Sequence, residues 1–201
     1  MKTNILLLLL LFITLQACTS HKPATTSFSF IKDTISYHAL SLKEAIQLEL
    51  TLGSSKDRDS MTKYYLGKGL YPNKKKYELA PALSFNRTGE SYFSNKVEYN
   101  FDTKDSVVKA ILYEWNSAMA DNKLYTEKKA SQVFRGKFEQ LKKEITERIG
   151  EPSSVNLESK TPSSSYRDDV HWENTAGINV YMFMFGNSSG YRQIRVVVYW
   201  E

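Results

Sequence analysis

The spacing of apolar and polar positions changes several times along this chain, and each change marks an element. Ser41 stands ahead of a helical pattern in which Ala45, Leu48 and Leu52 share one side. Glu44, three residues on, completes a capping box, and Gly53 stops the run. Residues 54–77 are polar and irregular, with room for a short second helix near 61–66. Strands are predicted over 79–85, 92–101 and 107–115. In the middle one, Val97, Tyr99 and Phe101 alternate with Glu98 and Asn100, the mark of a half-buried strand. Asp102-Thr103-Lys104-Asp105 then supplies turn chemistry. The third stretch also fits a helix through Val108, Leu112 and Trp115; its likeness to the C-terminal pattern favours strand.

The second half opens with another helix, its stripe made by Phe134, Phe138, Leu141, Ile145 and Ile149. Glu139 with Lys143 and Glu144 with Arg148 are favourable i,i+4 pairs on its wet side, and Gly150 and Pro152 end it. A Ser- and Pro-rich loop over 152–165 leads to a strand at 168–174. Strands over 181–185 and 191–200, joined by the turn Gly186-Asn187-Ser188-Ser189-Gly190, then form a hairpin. Both faces of that hairpin are apolar or aromatic. Tyr181, Phe183, Phe185 and Tyr199 share one of them, and this face is either buried or a binding platform.

Helix plus antiparallel strands, written twice, predicts an α+β fold of two helix-plus-antiparallel-sheet repeats, the helices packed on one sheet face. The expected divisions are a leader at 1–17, a flexible tether at 18–30, a first repeat at 31–120 and a second at 121–201. In topology alone this is similar to the tandem repeat of β-lactamase inhibitory proteins and to small envelope lipoproteins of the outer-membrane assembly kind. No motif of either family is present, so the resemblance implies architecture and no activity.

The apolar run from Ile5 to Leu15 is broken by Thr14 alone and preceded by Lys2. It has the length of a secretory h-region and falls short of the ~20 apolar residues that cross a bilayer. It ends in Leu15-Gln16-Ala17-Cys18, which contains the chain's one cysteine and resembles the lipobox of bacterial lipoprotein precursors. The resemblance implies cleavage before Cys18 and acylation of that residue, hence a body held to a bilayer by more than one acyl chain. One chain gives reversible attachment, and several make it stable. It also implies a bacterial envelope location. Thr19, in place of Asp, follows the cysteine and points to the outer membrane.

Composition narrows the rest. The net charge of +5 is mild and mostly interspersed. Lys74-Lys75-Lys76 is the single basic run, placed after Pro72-Asn73, and reads as a solvated loop. Nucleic acid is not an expected partner of an exported, anchored chain. With Cys18 acylated, no thiol is left for a disulfide, so packing must hold the fold.

Chemistry-bearing motifs are scarce. There is no Gly-x-Ser-x-Gly, phosphate loop, dinucleotide fingerprint or His-Glu-x-x-His. Of three histidines, His171 has the most suggestive setting. Asp169, His171 and Glu173 alternate along a strand and point to one side. Two carboxylates flanking an imidazole could bind a divalent cation; the same pattern describes a wet face that discourages edge pairing. Side chains two apart on a strand stand about 7 Å from one another, while ligands converge at about 2 Å, so neither metal nor cofactor is assigned. Asp33-Thr34-Ile35, Asp59-Ser60-Met61 and Asp105-Ser106-Val107 share an Asp-Ser/Thr-apolar pattern that resembles the envelope O-glycosylation motif of some Gram-negative bacteria.

The expectation is a membrane-anchored envelope lipoprotein, not an enzyme, that binds another envelope macromolecule, with a protein the expected partner. The alternative is a periplasmic inhibitor or immunity protein against a toxin or hydrolase.

Overall fold

The computed structural model describes residues 39–57, 76–88, 92–117, 127–158, 165–173 and 177–200. Helix α1 (Leu42–Thr51) precedes strands β1 (Ser55–Lys56), β2 (Leu83–Arg87), β3 (Phe93–Phe101) and β4 (Val108–Ser117). Helix α2 (Glu127–Ile149) precedes β5 (Ser154–Asn156), β6 (Ser165–Glu173), β7 (Ile178–Asn187) and β8 (Arg192–Trp200). Every strand pairing is antiparallel, and the order across the sheet is β1-β2-β3-β4-β8-β7-β6-β5.

That order corrects the expected fold class. The strands do not form two helix-plus-sheet repeats; they form one continuous eight-stranded sheet, with two helices among the described residues. The join is β4 on β8, from Ala110 opposite Tyr199 to Asn116 opposite Gln193. Both partners are β-branched and aromatic strands, apolar on both faces. Each reads locally as the end of its own hairpin, yet each is central and buried on both sides. The expected leader, tether, Cys18 and short helix near 61–66 lie outside the described residues.

Local chemistry explains the helices. Ser41 accepts from the Glu44 N–H, and the Glu44 carboxylate accepts from the Ser41 N–H, which closes the capping box and lowers the Glu44 pKa. Gly53 and Gly150 follow the two helices with φ of 68° and 96°, the left-handed turn that glycine makes without strain. On α2 the stripe Phe134, Phe138, Leu141 and Ile145 is fully buried, while Lys143 pairs outward with Glu147 at 3.7 Å.

The core is a single layer between the helices and one face of the sheet. It is built from Val97 and Tyr99 of β3, Ile111 and Trp115 of β4, Val170 and Trp172 of β6, Val180 and Met182 of β7, and Ile194, Val196 and Val198 of β8. Phe93 meets Phe134 edge-on, with ring centres 5.0 Å apart. The sheet's other face carries no described helix. There the segment around Tyr77 and Leu79 packs on Ala110, Leu112, Val197 and Tyr199, and Leu79 bridges to Asp102.

Candidate functional site

Directly opposed residues in a sheet point to the same face, so the strand register lays out the helix-free face as rows. One row runs through Asn86, Lys96, Glu114, Arg195, Phe183, Asp169 and Asn156, from β2 to β5. Its neighbour holds Glu98, Leu112, Val197, Tyr181 and His171. Charges of alternating sign, Lys96, Glu114 and Arg195, therefore run across the middle of the sheet and give way to Phe183 and Tyr181 toward β6.

In the centre of this face the charges are almost dry. Glu98 and Glu114 are 1% and 3% exposed. Lys96 reaches Glu98 at 3.2 Å and Asp57 at 3.1 Å, and Arg195 Nε reaches Glu114 at 2.6 Å. Burial raises the Glu98 pKa above the ordinary carboxylate value, and Glu114 adds to the rise; Lys96 and Arg195 oppose it without cancelling it. Beside this network Gln193 donates to Asn116 at 2.6 Å.

Toward β6 the face becomes aromatic. His171 stacks on Tyr181 with ring centres 4.0 Å apart and planes 20° off parallel. Tyr181 and Phe183 follow one another at 5.6 Å. The Arg167 guanidinium lies 4.3 Å from the centre of the Phe183 ring and donates to the Tyr181 hydroxyl. Burial pushes the Tyr181 phenol up, with Arg167 pulling the other way. Asp169 stands 3.9 Å from Arg167 and 3.6 Å from His171. Arg167 and His171 keep 44% and 38% of their side chains in solvent, so they form the outer layer of this corner.

The other side of the sheet holds a contrasting cluster. Glu49 of α1 is fully buried and takes both Arg87 Nε, at 3.0 Å, and Arg87 Nη2. Ser54 and Tyr99 also donate to its carboxylate. Burial alone would raise the Glu49 pKa; the hydrogen bonds and charge of Arg87 outweigh it, and the pKa is lowered. The Tyr99 phenol is pushed up by its burial and by Tyr113 and Glu49. This arrangement fixes α1 to β2 and β3. A second tie joins Asp168 of β6 to Arg135 of α2 at 2.5 Å and to the Glu158 N–H at 2.9 Å.

The residues singled out from sequence are placed as follows. Tyr181 and Phe183 are buried beneath Arg167 and His171, and Phe185 and Tyr199 are half-buried. Asp169 and His171 share a face with Glu173, but no three His, Cys, Asp or Glu side chains converge as a metal-binding group among the described residues. Cys18 lies outside them. The sequence reading gives no role to Lys96, Glu114 or Arg167. Glu114 alone carried a signal, a charge within residues 110–115, a stretch otherwise apolar on both faces, where a solvated charge is not expected; Lys96 and Arg167 stand in strands with many polar positions and carried none. No helix among the described residues is long and apolar enough to cross a membrane. No family model, curated protein or solved structure matches the chain.

Proposed function

We propose that the chain is a lipid-anchored protein of a bacterial envelope, and that its folded body is a non-catalytic module which binds another macromolecule of that envelope through the helix-free face of the sheet. Leu15-Gln16-Ala17-Cys18 supports the anchoring, with Thr19 favouring the outer membrane. The observation that carries the binding reading is the β6–β8 corner of that face. Arg167 and His171 stand outermost there, Arg167 over Phe183 and His171 against Tyr181, with the less exposed Asp169 beside both. Aromatic and arginine side chains held in one place are the residue types that dominate protein interfaces.

Two measurements test this. Metabolic palmitate labelling of the wild type should vanish in Cys18→Ser; a labelled variant overturns the anchoring. A photo-crosslinking side chain at position 167 or 171 should capture a discrete partner in native membranes, whereas one at Lys143, on the outer side of α2, should not. Equal capture from both sides of the sheet overturns the assignment of the face.

A further inference from the structure

The turn between β3 and β4 carries Asp105-Ser106-Val107, the one Asp-Ser/Thr-apolar triplet within the described residues. Ser106 is exposed, and its φ of +56° is the one positive value at a non-glycine residue among those described. Its backbone is held from both sides: its N–H donates to Asp102 O at 3.0 Å, and its carbonyl accepts from the Leu42 N–H at 2.9 Å. The Asp105 carboxylate accepts from the Val107 N–H at 2.8 Å and from Lys109 Nζ at 2.7 Å. Lys109 foremost, with Val107, lowers the Asp105 pKa. The triplet thus closes the turn, with Ser106 exposed at its end and no described residue hydrogen-bonded to its hydroxyl.

Glycine would hold this φ without strain. What serine adds over glycine here is an exposed hydroxyl in a fixed setting. Strained, over-determined backbone concentrates where a side chain is used. We propose that Ser106 is a modification site, the acceptor of a sugar transferred after export; this rests on the envelope reading above. In the step, Oγ attacks C1 of a sugar carried on a lipid diphosphate. The C1–Oγ bond forms, the C1–O bond to phosphate breaks with its electron pair leaving on the diphosphate, and the hydroxyl proton passes to a base of the transferase. A lipid-linked donor suits the site because nucleoside triphosphates, the usual phosphate donors, are confined to the cytoplasm.

The test is mass spectrometry of the full chain, produced with its leader in the bacterium that encodes it. Trypsin releases residues 105–109 as one peptide. That peptide should carry a carbohydrate mass in the wild type and in a Ser189→Ala control, and none in Ser106→Gly. Glycine suits the turn, so loss of the sugar in that variant cannot be ascribed to misfolding. Asp105→Ala, which opens the turn and keeps the hydroxyl, should lower occupancy at least ten-fold. A bare peptide in the wild type, or a phosphate in place of sugar, overturns the proposal. Acyl mass on Cys18 with a bare Ser106 overturns this site alone; a free Cys18 thiol with sugar on Ser106 overturns the anchoring alone.

Discussion

Glu49 and Glu98 are both buried carboxylates beside a cation, and they stand on opposite faces of one sheet. The helix-side Glu49 receives Arg87 through two nitrogens and takes further hydrogen bonds from Ser54 and Tyr99. Its pKa falls. Glu98 has a single lysine at 3.2 Å, which is shared with Asp57, and a second carboxylate, Glu114, nearby. Its pKa rises. The difference shows that burial does not decide a carboxylate's charge; the number and geometry of donors do. It also separates two uses of buried charge. On the helix side the ion pair locks α1 to the sheet, while on the other side Glu98 shares Lys96 and Arg195 with Asp57 and Glu114, under a face proposed to meet a partner.

Breaking the locked pair should have the largest effect. Arg87→Ala leaves Glu49 buried without its cation, and loss of one partner from a buried pair costs about 3–5 kcal/mol. Urea unfolding should show that loss. Glu49→Ala combined with Arg87→Ala should recover part of it. A double variant no more stable than Arg87→Ala would mean that Ser54 and Tyr99 alone suffice to hold the carboxylate.

The helix side should also resist small additions. A Cβ built on Gly186 would sit 2.5 Å from the Tyr166 ring, closer than real contacts allow. Gly186→Ala is therefore expected to cost about 1–3 kcal/mol, the usual range for overpacking. Phe185→Leu, next to it on the half-exposed opposite face, should cost less than Gly186→Ala. Equal losses would remove the contrast in packing between the two faces.

Much of this contrast was hidden from the sequence for a physical reason. Elements set by neighbours in the chain were legible: the Ser41–Glu44 cap and the stripe from Phe134 to Ile145 rest on spacings of three or four residues, and the β7–β8 hairpin is announced by its own short turn. The pairing of β4 with β8 joins residues some eighty positions apart, and no local pattern encodes it. Missing it turned one sheet into two. Edge strands β1 and β5 are two and three residues long, exposed and polar or mixed, so they read as loop. The site suffered most. Alternation assigned Glu98 and Asn100 to a wet face, and both are buried, because a strand in the middle of a wide sheet can bury its polar side too.

A smaller effect follows from the raised Glu98 pKa, and pH should reveal it. A carboxylate with a raised folded-state pKa contributes stability that is fully present below its unfolded value, near 4.5, and is lost as pH rises through the folded value. Glu49, with a lowered pKa, contributes stability present above that unfolded value and lost as pH falls through the folded one. Glu98→Gln should thus gain stability relative to wild type between pH 4 and pH 7. Glu49→Gln should lose it over the same interval. Parallel curves for the two variants, followed by urea midpoints, would erase the distinction between the faces.

The smallest effect on folding should come from Arg167→Ala, and that is what makes it informative. A half-exposed guanidinium on an aromatic ring contributes about 0.5–1 kcal/mol. Losing it should leave the urea midpoint nearly unchanged while uncovering Phe183 and Tyr181. If the corner is a binding surface, crosslinking from position 171 in native membranes should fall at least ten-fold in this background. Arg135→Ala, which removes a cation of the helix side tied to Asp168, should lower stability more and capture less. A variant at 167 that captures its partner as well as wild type would make Arg167 a cover for buried rings, a structural part with no share in recognition.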